Sequence, residues 1–141
     1  MSLRLFGDFV VGRWSHPPWV AVWDPQGFQD EGCQTFLTFW AWQDVSPRRL
    51  RRWARELARI WTWLRVMGFD WHVATLETWA EWVHGQGPIS DNLSTLSHQI
   101  ETLYRFYAFW HGYDPHRVPR QPWPRDRRER ERWLWDQMMN R

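Results

Sequence analysis

Residues 46–67 constrain the fold of this chain more than any other segment, because they have the pattern of one long amphipathic helix. Apolar residues recur there at steps of three and four, the spacing of the buried stripe on a surface helix; they are Leu50, Trp53, Leu57, Ile60, Trp61, Leu64 and Met67. Ser46 suits an N-cap and Pro47 the first helical position, and Gly68 suits the position just beyond a C-terminus. The segment therefore predicts a long helix that packs one face against the rest of the domain.

Arginines recur at the same steps on another side of this helix: Arg48, Arg52, Arg55 and Arg59, with Arg49 and Arg51 beside them. Between residues 48 and 65 there are seven arginines and one acid, Glu56. A guanidinium presents a planar fork of N–H donors that matches a phosphate group, so the row suggests a polyanionic partner. The alternative is a solvated helix face, because all 18 basic residues of the chain are arginine and any basic surface must use them.

Periodicity predicts three further helices: one within residues 30–42, one from an N-cap at Thr75 to about Gly85, and one that ends near Trp110 after a cap at Ser90, Asp91 or Ser94. Residues 19–23 are β-prone, but no convincing partner strand follows them. We therefore expect an all-α fold, a small bundle of about four helices with an irregular N-terminal arm. The expected organisation is an arm at 1–18, a helical domain at 19–113, and a Pro/Arg-rich linker with a frayed terminal helix at 114–141.

Composition narrows the class of protein and the kinds of site. A chain of 141 residues fits one domain, and Cys33 is its single cysteine, which is typical of a protein in a reducing cytoplasm. No apolar run of 18 residues and no signal-peptide pattern is present, so we expect a cytoplasmic location without membrane insertion. The six histidines never form an i,i+4 pair, and hydrolase motifs and glycine-rich phosphate loops are absent. We expect no metal, no cofactor and no catalytic residues.

The order of these segments resembles the N-terminal, SAM-like core-binding domain of tyrosine recombinases and phage integrases. Residues 46–57 followed by Trp63-Leu64 are similar to that family's opening helix, in which Ser-Pro-x-Thr precedes Tyr-Ala-x-x-Leu and Trp-Leu. Residues 93–107 are similar to its last helix, which has Thr-Ile followed by Leu-x-x-Leu-x-x-Phe-Tyr, and Asp114-Pro115 stands where the family usually has Asn-Pro. The resemblance covers roughly residues 19–125.

The resemblance implies a helical DNA-binding module that helps to clamp a recombination site. The DNA-binding residues expected on this basis are Arg48, Arg49, Arg52 and Arg55 on the opening helix, and Thr95, His98, Gln99 and Arg105 on the last helix. Double-stranded DNA is the expected partner, together with a catalytic recombinase domain or other recombinase subunits. Side chains near the start of a helix can reach phosphates and base edges, and a glutamine such as Gln99 can pair with adenine.

The chain also departs from the family pattern. Arg49 replaces the family's threonine, Trp53 replaces its tyrosine, and His98 stands where a basic residue is common. The catalytic domain of the family has no counterpart in the sequence, so we expect a truncated or stand-alone binding module that is not an enzyme by itself. Two other interpretations stay open: a Trp/Arg-rich helical module for protein interaction or a membrane surface, and a decayed gene product without a selected role.

Overall fold

The computed structural model describes residues 8–86, 93–113, 126, 128–129, 132–133 and 135–136. Its elements are β1 (Val10–Arg13), β2 (Val20–Trp23), α1 (Glu31–Trp42), α2 (Pro47–Val66), α3 (Leu76–Gln86) and α4 (Leu93–Tyr113). The described residues are thus mostly helical, with four helices as expected and a small two-stranded sheet in addition. The fold is α-rich rather than purely all-α.

The chain divides into two compact units, Met1–Phe69 and Asp70–Arg141, which are described separately below. The predicted caps Ser90 and Asp91 lie outside the described residues, and so does most of the linker and terminal helix predicted at 114–141.

The small sheet is the part of the fold that the sequence analysis missed. Strand β1 pairs with β2 in antiparallel register, with Val10 opposite Trp23 and Arg13 opposite Val20. The partner of β2 thus precedes it in the chain, within the segment expected to be an irregular arm. Gly12 leaves room for the Trp23 side chain of the partner strand, because a Cβ atom at this position would lie 2.9 Å from the Trp23 ring. The β-branched Val10 and Val11 also favour an extended backbone.

In the first unit, the sheet and α1 pack against α2. The outer edge of β2 is tied to the start of α1, since the Val22 N–H donates to Gln34 Oε1 at 2.7 Å and the Asp30 N–H donates to the Val22 carbonyl at 2.8 Å. The Asp30 carboxylate caps α1 by accepting from the Cys33 N–H at 2.9 Å. The buried side chains of this core include Val20, Val22, Cys33, Phe36, Leu37, Leu50, Trp53, Leu57, Ile60 and Leu64.

The second unit is built around aromatic side chains of α3 and α4. Trp79 and Trp82 of α3 are buried, and the ring of Trp79 lies 6.1 Å from that of Tyr107 on α4. The Tyr107 hydroxyl donates to the backbone carbonyl of Trp71, which fixes the segment before α3 to α4. The predicted cap is confirmed at Thr75, whose Oγ1 accepts from the Thr78 N–H at 3.4 Å.

Candidate nucleic-acid interface

Helix α2 is closed at both ends by side-chain and backbone hydrogen bonds. Ser46 Oγ accepts from the Arg49 N–H at 3.2 Å, and Pro47 occupies the first helical position. At the other end Gly68 has a φ of +80°, a left-handed conformation that glycine adopts without a steric cost. The Phe69 N–H donates to the Leu64 carbonyl at 2.8 Å, and the Gly68 N–H donates to the Arg65 carbonyl at 3.1 Å. This is the hydrogen-bond pattern of a Schellman motif. These caps give the arginine row a rigid support.

The two faces of α2 are separated as the sequence predicts. The apolar residues of the predicted stripe are buried from Leu50 to Leu64, whereas Met67, at the C-cap, is 50% exposed. Six arginines of the helix are exposed, and four of them lie on one side: Arg48, Arg52, Arg55 and Arg59, named here the Arg stripe. At 3.6 residues per turn they fall within a sector about 60° wide, roughly opposite the centre of the buried stripe. The Arg stripe therefore faces solvent along its whole length.

The charge of the Arg stripe is largely uncompensated within the helix. Arg52 Nε lies 4.0 Å from Glu56 Oε1, and a partly exposed pair at this distance contributes little. Among the residues that the structure describes, the other three members of the stripe form no ion pair with a carboxylate. The span from Arg48 to Arg59 is about 16 Å at 1.5 Å per residue. Such a row can meet several successive phosphates of a nucleic-acid strand.

Arg49 lies beside the Arg stripe and differs from it in its surroundings. Its guanidinium carbon lies 5.2 Å from the centroid of the Trp53 ring, a cation–π contact that holds the guanidinium over the edge of the core. The Trp53 ring lies 6.0 Å from Trp40 on α1, and Trp40 lies 5.2 Å from Phe39. Phe39 is 42% exposed and the nearby Trp42 is 73% exposed. Aromatic side chains thus connect Arg49 to an exposed part of α1.

Phe39 and Trp42 are not among the functional residues predicted from the sequence. A signal was present, however, because residues 36–42 contain four aromatic residues and a leucine within two helical turns. A helix with one buried face cannot cover apolar residues that occupy so many of its positions. Some of them had to be exposed.

The other four predicted DNA-binding residues lie on α4, in the second unit. Thr95 and His98 are exposed and one turn apart, and Arg105 is half-buried. His98 Nδ1 lies 4.0 Å from Glu101 Oε2. Gln99 is only 7% exposed, and its Oε1 accepts no hydrogen bond among the described residues. The structure thus places Thr95 and His98 on an accessible face of α4, whereas a base contact by Gln99 stays a prediction that requires the side chain to move outward.

Two titratable groups in the fold have environments that suit structure better than catalysis. Cys33 is fully buried, and burial raises the pKa of its thiol well above the ordinary value, with a further contribution from the charge of Asp30. Burial also raises the pKa of Tyr107 well above its ordinary value, and the charge of Asp70 adds to this shift. A thiol and a phenol held in these neutral forms are poor nucleophiles.

Two other features, a metal site and a membrane-spanning helix, are not found among the described residues. They contain no group of three or more His, Cys, Asp or Glu side chains that could hold a metal ion. No helix within them is both long and apolar enough to cross a bilayer.

Comparison with protein-family models, with curated proteins and with solved structures finds no match for this chain. The function is therefore inferred from the Arg stripe, from its surroundings and from the sequence motifs.

Proposed function

We propose that the chain is a DNA-binding module of the type found in tyrosine recombinases and phage integrases, equivalent to their SAM-like core-binding domain. The observation that carries the proposal is the Arg stripe, which is exposed along about 16 Å of a rigid helix and faces away from the core. Double-stranded DNA is the proposed ligand, because its phosphates offer regularly spaced negative charges along such a row. A catalytic recombinase domain or another recombinase subunit is the proposed protein partner.

In this proposal the Arg stripe positions the module on the duplex. Contacts between guanidiniums and phosphates fix orientation and carry no sequence information by themselves. Thr95 and His98, exposed near the start of α4, are the proposed candidates for further contacts to phosphates or base edges. The module alone should bind DNA weakly, since in the family that it resembles the catalytic domain holds the other face of the duplex.

We expect no strand cleavage by this chain, because tyrosine recombination requires an accessible phenol and positioned cationic groups. Tyr107 does not fit this role, since its hydroxyl is buried and donates to the Trp71 carbonyl. A denaturing gel after incubation with a nicked DNA substrate tests the expectation, and a covalent protein–DNA adduct would contradict it.

A second candidate function is favoured by the exposed aromatic residues. Phe28, Phe39 and Trp42 present large apolar surfaces in the same unit as the Arg stripe. Arginine together with exposed tryptophan is also a composition that suits an anionic lipid surface or a protein partner. This alternative predicts tighter binding to anionic vesicles, or to a protein, than to duplex DNA.

The test compares two double variants that remove the same charge. Arg52→Gln/Arg55→Gln removes two arginines of the Arg stripe, whereas Arg13→Gln/Arg65→Gln removes two other exposed arginines of the first unit. If the proposal is correct, the first variant loses most duplex affinity and the second retains it. Equal losses would indicate binding through overall charge, and a preference for anionic vesicles in the unmodified protein would favour the alternative. Circular dichroism of each variant controls for folding.

A further inference from the structure

The Arg stripe ends at Arg59, and apolar side chains continue the same side of α2 beyond it. Trp63 follows Arg59 by four residues and Val66 follows it by seven, so at 3.6 residues per turn both lie within about 40° of Arg59 around the helix. Val66 is 68% exposed, and Trp63 is partly exposed. The solvent side of this one helix is therefore cationic along most of its length and apolar at its C-terminal end.

The chain reversal after α2 adds a second aromatic ring to this apolar surface. Gly68 turns the backbone with its positive φ, and the Phe69 N–H donates to the Leu64 carbonyl. The rings of Trp63 and Phe69 are stacked, with centroids 6.3 Å apart and planes inclined by 29°. At this separation stacked rings are offset, so each leaves part of the other's face uncovered, and both residues are partly exposed. Helix capping thus fixes two nearly parallel rings one turn beyond Arg59.

We propose that Trp63, Val66 and Phe69, named here the apolar end of α2, bind an unpaired base of a DNA strand whose phosphates lie on the Arg stripe. Unpaired bases expose π-faces that stack on aromatic rings, while the connecting phosphates suit guanidiniums. Bases within a duplex are already stacked on one another, so the apolar end of α2 gains far less from them. The inference rests on the proposed function, since it requires the Arg stripe to be a DNA surface.

The order of charged and apolar surface along α2 favours a nucleic-acid strand over a membrane. A helix that lies on a bilayer places an apolar face in the lipid along its whole length. In α2 the long apolar face is buried in the core from Leu50 to Leu64, and the apolar surface on the side of the Arg stripe is confined to one end. A DNA strand fits this order, because its phosphates can follow the Arg stripe while one base turns onto the apolar end.

Charge complementarity favours the same ligand over an apolar protein partner. Among the arginines of the Arg stripe, Arg52 alone has a carboxylate within 4.0 Å in the described part of the chain, that of Glu56. An apolar protein surface would contact the end of the helix and gain nothing from the guanidiniums beside it. Single-stranded DNA uses both parts of this helix side at once.

The experiment compares binding of fluorescein-labelled oligothymidylate, about a dozen nucleotides long, with binding of a duplex of equal length. The test variant Trp63→Leu keeps an apolar side chain against Phe69 and removes the indole ring, whereas Trp63→Phe retains a ring. The matched control is Trp42→Leu, which removes a tryptophan of α1 that is 73% exposed. Circular dichroism verifies the folding of each variant.

A second pair of variants tests the apolar end without touching a partly buried residue. Val66 is 68% exposed and Val73, in the turn before α3, is 70% exposed, so serine at either position should leave the fold intact. Val66→Ser removes apolar surface in line with the Arg stripe and should weaken single-strand binding roughly threefold. Val73→Ser should leave it unchanged, and equal effects of the two variants would contradict the inference.

We expect Trp63→Leu to weaken single-strand binding about tenfold while duplex binding changes less than about twofold. Trp63→Phe should recover most of the loss, and Trp42→Leu should have no effect. If Trp63→Leu and Trp42→Leu behave alike on the single strand while duplex binding still depends on the Arg stripe, this inference is wrong and the proposed function stands. The same holds if Trp63→Leu weakens both DNA forms equally. If Arg52→Gln/Arg55→Gln changes binding of neither form, both are wrong.

Vesicles and sedimentation test the other occupants of the apolar end. Tighter binding to vesicles of phosphatidylserine and phosphatidylcholine than to oligothymidylate, lost in Val66→Ser, would assign this surface to a membrane. A self-associated protein that Val66→Ser converts to a monomer, with single-strand binding unchanged, would assign it to a second copy of the chain. Either result would overturn the inference.

Discussion

Salt dependence provides the most quantitative test of the Arg stripe. Each arginine that neutralises a phosphate releases condensed counterions, and the logarithm of the affinity falls with that of the salt concentration by about 0.9 per contact on duplex DNA. The stripe has four members, Arg48, Arg52, Arg55 and Arg59, and each is exposed. Four contacts give a slope of about −3.6, so affinity should fall roughly 150-fold between about 50 and about 200 mM salt.

Removing half of the stripe should halve the slope. For Arg52→Gln/Arg55→Gln we expect a slope of about −1.8 and a loss of roughly 12-fold over the same range of salt. For Arg13→Gln/Arg65→Gln the slope should stay near that of the unmodified protein, although the net charge is identical in the two variants. The difference between the slopes reports contacts, whereas overall charge acts mainly through long-range attraction.

Fluorescence anisotropy with a labelled duplex at several salt concentrations measures each slope. The reasoning is refuted if the unmodified protein has a slope weaker than about −1, because such a slope corresponds to about one phosphate contact or fewer instead of four. It is also refuted if both double variants lower the slope equally, since it would then make no difference whether the lost arginines belong to the Arg stripe.

Three further predictions concern the fold itself. Tyr107→Phe leaves the Trp71 carbonyl without its buried donor, so it should lower the free energy of unfolding by about 1–3 kcal/mol in a denaturant titration; an unchanged midpoint would contradict the hydrogen bond. Cys33 is buried and its thiol pKa is raised, so an alkylating reagent should label it much faster in denaturant than in buffer; equal rates would show that the site is open. Burial raises the pKa of Asp70, but hydrogen bonds from the backbone and the ring of His72 outweigh this effect. The pKa of Asp70 therefore lies below its ordinary value of 3.8. Its contribution to stability is therefore complete above about pH 4 and is lost as the pH falls through the lower folded-state pKa, and Asp70→Asn should reduce this acid dependence in denaturant titrations from pH 6 to pH 2. An unchanged acid dependence would show that Asp70 is not coupled to folding.

Much of the helical structure could be predicted because its determinants are local. The start of α2 follows from Ser46 and Pro47, its end from Gly68, and its two faces from steps of three and four residues. Exposure of the Arg stripe follows from the same periodicity, since a helix that buries one side presents the other to solvent. Thr75 as the cap of α3 is another local signal that the structure confirms.

The pairing of β1 with β2 depended on information beyond any single segment. Val10 to Arg13 have no strong period of their own, and they become a strand because β2 supplies hydrogen-bond partners and Gly12 admits the Trp23 ring. Strand formation in a short segment depends on its neighbours more than on its own propensity, and this is why the segment could not be distinguished from an irregular arm.

The surroundings of the candidate site also came from tertiary structure. Periodicity places Arg49 beside the other arginines and one turn from Trp53 on the same helix, but only the packing of α1 on α2 brings Trp40 against Trp53 and leaves Phe39 and Trp42 exposed. Gln99 shows the same limit, because a polar residue near a helix start is usually accessible, and here the second unit buries it. The sequence by itself determined which residues form the helices and where the positive charge lies. Which side chains share a surface was decided by packing, because contacts between segments far apart in the chain are set by shape and not by local pattern.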